Sequence, residues 1–221
     1  MKGTLLFSAA LMAATLITGC SKDDKYSTTG GNNSNSQPQM AYQVKAVNAF
    51  NSMQRTTANG TIVWTSGFAN PSVIKFEAKQ NNSKLEYEAK NTGQIDLFAF
   101  DPMTFGNFTL GPGTYNEIEL KIMFKKNGSS PAIQLNGQFT NNVMSVPVTL
   151  IIDGPLEIKT EQEDVVIDNN TSYIAITDLD LGYFTSDISE NMWENADLTN
   201  GTLIISENSN ENLYNRIVDR I

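Results

Sequence analysis

The stretch from Ser72 to Lys90, "SVIKFEAKQNNSKLEYEAK", decides the fold. Apolar residues alternate with charged residues on both sides of the pair Asn81-Asn82. A period of two predicts two strands, each with one apolar and one charged face. Asparagine tolerates the positive φ that a two-residue turn requires, so this pair predicts a β-hairpin.

The register of this hairpin follows from parity. Opposed residues in an antiparallel pair lie on the same face, and a slip by one residue would turn the apolar side chains into solvent. A slip by two residues would keep the faces, so that register is the main competitor. A two-residue turn predicts three pairs on the buried face: Ile74 with Ala89, Phe76 with Tyr87, and Ala78 with Leu85. On the charged face it predicts Lys75 with Glu88, Glu77 with Glu86, and Lys79 with Lys84.

The same alternation continues along the chain and indicates a mainly β protein. "YNEIELKIMF", residues 115–124, has one apolar and one charged face. Turn formers such as Asn127-Gly128 separate many short segments of this kind, which is typical of an antiparallel β-sandwich or a barrel. Further predicted strands are Tyr42–Phe50, Thr61–Ser66, Ile95–Phe100, Ala132–Phe139, Met144–Ile152, Leu156–Thr160, Asp164–Ile167 and Ser172–Thr177.

Two segments near the end of the chain have helical rather than strand periodicity. "SDISENMWENA" predicts a short helix near residues 187–196, with Ile188, Met192 and Trp193 facing inward. "NENLYNRIVDRI" predicts a C-terminal helix with Asn210 as its N-cap. Its apolar stripe consists of Leu213, Tyr214, Ile217, Val218 and Ile221.

The N-terminal segment has the features of a secretory signal. Lys2 precedes the apolar run Leu5–Ile17, which is too short to span a bilayer. The run ends in Ile17-Thr18-Gly19-Cys20, and Cys20 is the one cysteine of the chain. These four residues resemble the bacterial lipobox, which implies cleavage before Cys20 and acylation of its thiol. A lipidated Cys20 would anchor the protein to the membrane and leave no thiol for a disulfide.

The residues after Cys20 are charged. The sequence Lys22-Asp23-Asp24 resembles the surface-export signal of Bacteroidota-type lipoproteins. This resemblance implies a protein anchored in the outer membrane and facing the cell surface. A plain solvated tether on the periplasmic side is the alternative.

Composition divides the chain into three parts: a signal peptide at residues 1–19, a lipidated and flexible tether at 20–40, and one β-sandwich domain at 41–221. The tether is rich in Ser, Thr, Gly and Asn, and it has too few apolar residues to form a core. Removal of the signal takes away one basic residue, Lys2, and leaves 14 basic and 24 acidic residues, a net charge of −10. This balance argues against a nucleic-acid partner, which would require clustered basic residues.

Residues 95–122 resemble a family of uncharacterised bacterial lipoprotein domains with an immunoglobulin-like or prealbumin-like sandwich. The likeness consists of Asp96-Leu97, the turn Leu110-Gly111-Pro112-Gly113-Thr114-Tyr115, and Ile118-Glu119-Leu120. Asp178-Leu179-Asp180 also resembles an acidic strand end of that family, so the likeness extends over about half of the globular part. The turn differs from that of the family by one residue, because two glycines flank Pro112. The resemblance implies a sandwich on a lipid anchor and no particular activity.

The sequence predicts no catalytic residue and no cofactor. It has no histidine, so Ser-His-Asp and Cys-His nucleophilic sites are excluded. The carboxylates Glu117 and Glu119 share a strand face, as a glycosidase pair would require, but they share it with Lys121 and fit a solvated sheet surface.

A calcium ion near Asp178 and Asp180 stays open, with Asp187 and Glu190 as further candidate ligands. The alternative is a strand end whose acids cap the following turn, and no metal site is predicted. Among the aromatic residues, Trp64 shares a strand face with Ile62 and is expected in the core. Tyr183, Phe184 and Trp193 are the better candidates for an exposed platform, although helix packing also explains them.

These observations favour a non-enzymatic surface lipoprotein that acts in binding or assembly, with a surface glycan or another protein as its partner. An adhesin or pilus-anchoring subunit is one alternative, which an unpaired sheet edge would support. A glycan-binding accessory lipoprotein is another, which aligned exposed aromatics would support. A carboxylate-based glycosidase is the least favoured.

Overall fold

The computed structural model describes residues 39–47, 60–90, 92–99, 103–168, 172–185 and 188–219. Strands dominate these residues, and the predicted mainly β, sandwich-like fold is confirmed. The strands are β1 (Gln39–Val47), β2 (Gly60–Ala69), β3 (Pro71–Gln80), β4 (Ser83–Lys90), β5 (Ile95–Asp96), β6 (Met103–Thr109), β7 (Gly113–Phe124), β8 (Ile133–Asn141), β9 (Ser145–Ile152), β10 (Leu156–Ile167), β11 (Ser172–Asp180), β12 (Leu198–Thr199) and β13 (Thr202–Ile205). The helices are α1 (Glu190–Glu194) and α2 (Glu211–Val218).

The strands form three sheets around a common core. A four-stranded sheet has the order β10-β7-β3-β4, and all its pairs are antiparallel. A six-stranded sheet has the order β12-β13-β9-β8-β2-β5, and a three-stranded sheet has the order β11-β1-β6. One continuous cluster of buried apolar residues lies between the sheets and includes Trp64, Phe76, Phe124 and Phe139.

The predicted hairpin register is confirmed for every pair. Phe76 lies opposite Tyr87, and the five other predicted pairs follow in the same register. Asn81 adopts the positive φ expected of the turn, at 52°.

The predicted burial is wrong for Leu85 and Tyr87 of β4, although Ala89 packs partly against the core. Leu85 and Tyr87 are each 41% exposed, whereas the residues opposite them, Ala78 and Phe76, are each 1% exposed. The reason is strand order: β3 lies between β7 and β4, but β4 is the last strand of its sheet. Its apolar face therefore extends past the part of the core that covers β3.

Several strand boundaries differ from the prediction. The predicted strands Leu156–Thr160 and Asp164–Ile167 are one strand, β10, in which Asp164 has a positive φ of 54°. The predicted strand Ile95–Phe100 ends at Asp96, whose carboxylate accepts a hydrogen bond from the Phe98 amide at 2.8 Å and so forms a turn. The sheets are not wholly antiparallel, because β1 pairs with β11 and β13 pairs with β9 in parallel.

Both predicted helices are present. Ile188 lies just before the first helix, α1, and is buried, as is Trp193 within it, while Met192 packs partly against the core. In the second, the stripe of Leu213, Tyr214 and Ile217 is buried, while Val218 is half-buried and Ile221 lies outside the described residues. Asn210 stands at the N-cap, but its side chain makes no capping hydrogen bond.

The turn Leu110–Tyr115, part of the family resemblance, is held by its tyrosine. The Tyr115 hydroxyl donates a hydrogen bond of 2.9 Å to the Gly111 carbonyl, four residues upstream. Leu110 and Tyr115 are both buried, so the turn is fixed to the core at both ends. Tyrosine hydroxyls bond back to upstream main chain in this way in tyrosine corners of β-sandwiches.

Candidate functional site

The sequence motifs of the anchor lie outside the described residues. These are the lipidation candidate Cys20 and the export candidates Lys22, Asp23 and Asp24. In the described part of the chain, no helix has the length and apolar character needed to cross a bilayer.

The carboxylates Glu117 and Glu119 lie together with Glu161 on the charged face of the four-stranded sheet. One oxygen from each of the three carboxylates lies within 4.8 Å of the others. Lysines neutralise this cluster: Lys159 lies 2.7 Å from both Glu119 and Glu161, and Lys79 lies 2.8 Å from Glu117. The cluster is an ion-pair network on a sheet surface, as the alternation with lysine indicates.

The pKa shifts on this face also point to ion pairing rather than acid catalysis. The hydrogen bond from Lys159 holds the pKa of Glu119 below its usual value. Lys84 has the same effect on the pKa of Glu77, and Lys90 on that of Glu88. A glycosidase acid requires a pKa shifted upward, so the lysines on this face shift these carboxyls in the wrong direction for that role.

The charges of this face form rows that run across the sheet. Register places four glutamates side by side, one from each strand: Glu161, Glu119, Glu77 and Glu86. The row on one side contains Lys159, Lys121, Lys75 and Glu88, and the row on the other contains Glu163, Glu117, Lys79 and Lys84. Ion pairs join neighbouring rows, as between Lys84 and Glu77 at 2.7 Å. Solvent screens surface pairs of this kind, so each contributes little net stability.

Of the acids near residue 180, Asp180 bonds into the turn that follows β11. The Asp180 carboxylate accepts a hydrogen bond of 2.9 Å from the Gly182 amide, as the capping interpretation predicts. Asp178 lies within β11, with Lys45 of β1 as its main-chain neighbour. Asp187 and the side chain of Glu190 lie outside the described residues.

The large aromatic residues that the sequence singled out mostly lie in the interior. Trp64 is buried, as predicted. Trp193 and Phe184 are buried too, so helix packing explains them and the platform interpretation is wrong for both. Trp193 stacks on Phe139 with 5.5 Å between ring centroids. The side chain of Tyr183 lies outside the described residues.

A cleft of about 540 Å³ lies between α1 and the start of α2, and its lining is rich in asparagine. Its most buried polar group serves the fold. The Asn210 amide accepts a hydrogen bond from the main-chain N–H of Asp197 at 2.8 Å. It donates to the carbonyl oxygens of Asp197 at 2.9 Å and Ile204 at 2.7 Å. These bonds tie the loop after α1 to β13, so the amide is occupied by the fold.

The best candidate for a functional surface is the outer side of β4, residues 83–90, here called the β4 edge. Within the described ranges, no strand pairs with this side of β4. The strand has eight residues, contains no proline and pairs with β3 without a bulge. Leu85 and Tyr87 add half-exposed apolar side chains to it.

The main-chain groups that face outward along the β4 edge can be assigned from the turn. A hydrogen-bonded two-residue turn closes on Gln80 and Ser83, and bonded and non-bonded pairs alternate from there. Ser83, Leu85 and Tyr87 therefore direct their peptide groups to β3. Lys84, Glu86, Glu88 and Lys90 direct theirs away from the sheet.

Sequence reasoning missed the β4 edge. The alternation in 83–90 shows which face of the strand is apolar, but it contains nothing on the order of strands in the sheet. The sequence even points the other way, because this strand has no proline and no inward-pointing charge, the features that often protect an edge.

No protein-family model, no curated protein and no solved structure matches this chain. Its class is therefore defined by the fold and the site: a mainly β, sandwich-like protein in which β4 ends the four-stranded sheet among the described strands.

Proposed function

We propose that this protein is a lipoprotein anchored to the outer membrane through Cys20, with its sandwich facing the cell surface and acting in binding or assembly. The observation that carries the assembly role is the β4 edge. On this one regular strand, four residues direct their peptide groups outward and two apolar side chains are half-exposed. The anchor rests on the lipobox-like sequence Ile17-Thr18-Gly19-Cys20.

Within this role, an adhesin or pilus-anchoring subunit is the favoured form. Such subunits assemble by adding strands to sheet edges, where main-chain hydrogen bonds give affinity and alternate side chains give specificity. The β4 edge offers both kinds of contact, since the peptide groups of every second residue point outward and the side chains alternate between apolar and charged.

The other functions have less support. A glycan-binding platform requires aromatic rings on one exposed face, but Trp64, Phe184 and Trp193 are buried. A glycosidase requires a carboxyl with a raised pKa in a cleft. Glu119, in contrast, lies on a sheet surface with its pKa lowered by Lys159.

The surface location can be tested by protease treatment of intact cells. The parent protein should be shaved from the cell surface. Replacing Lys22, Asp23 and Asp24 together with alanine should keep the lipid but protect the protein from protease, because the export signal is lost. Replacing Ser27, Thr28 and Thr29 with alanine is the matched control in the same tether, and this variant should be shaved like the parent.

Equal shaving of the two triple variants would show that the charged cluster is only a tether. A parent protein that resists protease until the outer membrane is opened would place the sandwich in the periplasm and contradict the surface location.

A further inference from the structure

We infer that two copies of this chain join through their β4 edges, antiparallel about a twofold axis beside Glu86, to form one continuous eight-stranded sheet. This inference rests on the proposed role in assembly and names its partner as a second copy. It does not depend on the anchor or on the side of the membrane that the sandwich faces.

The sheet edges differ in how well they are protected. Two-residue strands, β5 and β12, end the six-stranded sheet, and short edge strands discourage pairing with other chains. The β4 edge has eight residues in regular register. Its apolar face carries Leu85, Tyr87 and Ala89 and thus no charge that would have to be buried when another strand is added.

Parity restricts how two β4 edges can pair. Main-chain hydrogen bonds form only when outward-facing residues lie opposite outward-facing residues. The outward-facing residues of β4 are those with charged side chains, so such pairs also keep apolar side chains on one common face. The allowed registers are therefore those that place even-numbered residues opposite even-numbered residues.

Charge, strand length and apolar contact together favour one of these registers. With Glu86 on the axis, Lys84 of each copy lies opposite Glu88 of the other, and Leu85 lies opposite Tyr87. The two copies then gain two opposite-charge pairs and two apolar pairs. Cross-strand pairs of both kinds stabilise a sheet. The single like-charge pair is Glu86 with Glu86 of the second copy, and Lys84 already makes an ion pair with Glu86 within each strand.

The neighbouring registers are worse for different reasons. With Tyr87 on the axis, Lys84 would oppose Lys90 and Glu86 would oppose Glu88, which gives four like-charge pairs. With Leu85 on the axis, the charges match, but Glu88 would lie opposite the turn residue Asn82 and one hydrogen-bonded pair would be lost. With Glu88 on the axis the charges would match equally well, but Tyr87 would oppose Ala89 and Leu85 would lie opposite the chain beyond the end of β4.

Disulfide trapping in the full-length chain in detergent tests this register. Glu86→Cys should give a covalent dimer on mild oxidation, because hydrogen-bonded pairs hold Cα atoms about 5.5 Å apart, within the range of a disulfide. Leu85→Cys and Tyr87→Cys mark the neighbouring registers and should crosslink far less. The parent controls for Cys20. Val143→Cys, at an 86% exposed position elsewhere, controls for random collision.

Faster crosslinking at residue 85 or 87 than at residue 86 would overturn the register. Equal crosslinking at 86 and 143 would overturn the dimer itself.

A second variant tests the association without a cysteine. Leu85→Lys places a charge on the apolar face of the β4 edge and should weaken dimerisation by about tenfold or more, measured by light scattering over a concentration series. Val166→Lys is the matched control, since Val166 is also exposed but lies on β10, at the other edge of the same sheet. This control should dimerise like the parent.

A parent that stays monomeric throughout the concentration series, while it is still shaved from intact cells, would refute the dimer and leave the surface location standing. A parent that dimerises in solution but resists protease on intact cells would support the dimer and refute the surface location.

Discussion

Replacing Cys20 with alanine is expected to abolish the attachment of lipid to this protein. Cells fed a traceable fatty acid should label the parent chain and leave the Cys20→Ala chain unlabelled, because the variant lacks the thiol that we propose is acylated. Burial of a lipid chain contributes about 0.8 kcal/mol per CH₂, so loss of the acyl chains removes most of the membrane affinity of the mature protein.

The label is a better readout than partitioning alone, since an uncleaved precursor would keep the apolar run Leu5–Ile17 and could enter detergent through it. Ser21→Ala is the matched control next to the cysteine and should be labelled like the parent. Labelling of Cys20→Ala at the level of the parent would show that the lipobox interpretation is wrong.

The second large effect is expected in the core of the four-stranded sheet. Phe76 is 1% exposed and lies in register between Leu120 of β7 and Tyr87 of β4. Phe76→Ala should lower the free energy of unfolding by about 3–5 kcal/mol, because it removes a buried ring and leaves a cavity. The measurement is the midpoint of unfolding in urea at an unchanged m-value.

Tyr87→Ala is the matched control on the opposing strand. The ring of Tyr87 is on the same face as that of Phe76 but is 41% exposed, so its loss should cost about 1 kcal/mol or less. Equal losses for the two variants would contradict the asymmetry of burial between β3 and β4, and with it the assignment of β4 as an edge.

The sequence predicts local features of the fold well and their arrangement less well. The pairing of β3 with β4 follows from alternation and a two-residue turn, both of which lie within one short segment. The parallel pairing of β1 with β11 joins residues more than 130 positions apart, and no local pattern contains it. Strand β6 was missed because "MTFGNFT" has no clean alternation of apolar and polar residues.

The prediction of burial from sequence fails where exposure depends on the order of strands in the sheet. Leu85 and Phe76 have the same sequence signature, an apolar residue between charges, but the first lies on an edge strand and the second on a central one. Alternation predicts the face of a side chain, whereas its exposure depends on what covers that face.

Some features of the candidate site could be predicted from the sequence, and others could not. The ion pairing of Glu117 and Glu119 was predictable, because lysines recur at the same spacing on the same faces. The β4 edge was not predictable, since it exists only through the position of β4 at the end of its sheet. In contrast to the β4 edge, the proposed anchor at Cys20 rests wholly on the sequence.

The measurement that tests the central claim most directly is the mass of the N-terminal peptide of the mature protein isolated from its native membrane. A lipid-anchored surface protein should begin at Cys20, lack residues 1–19, and carry the additional mass of its acyl chains on that residue. An N-terminal peptide that still contains residues 1–19, or one that has an unmodified Cys20, would contradict the account.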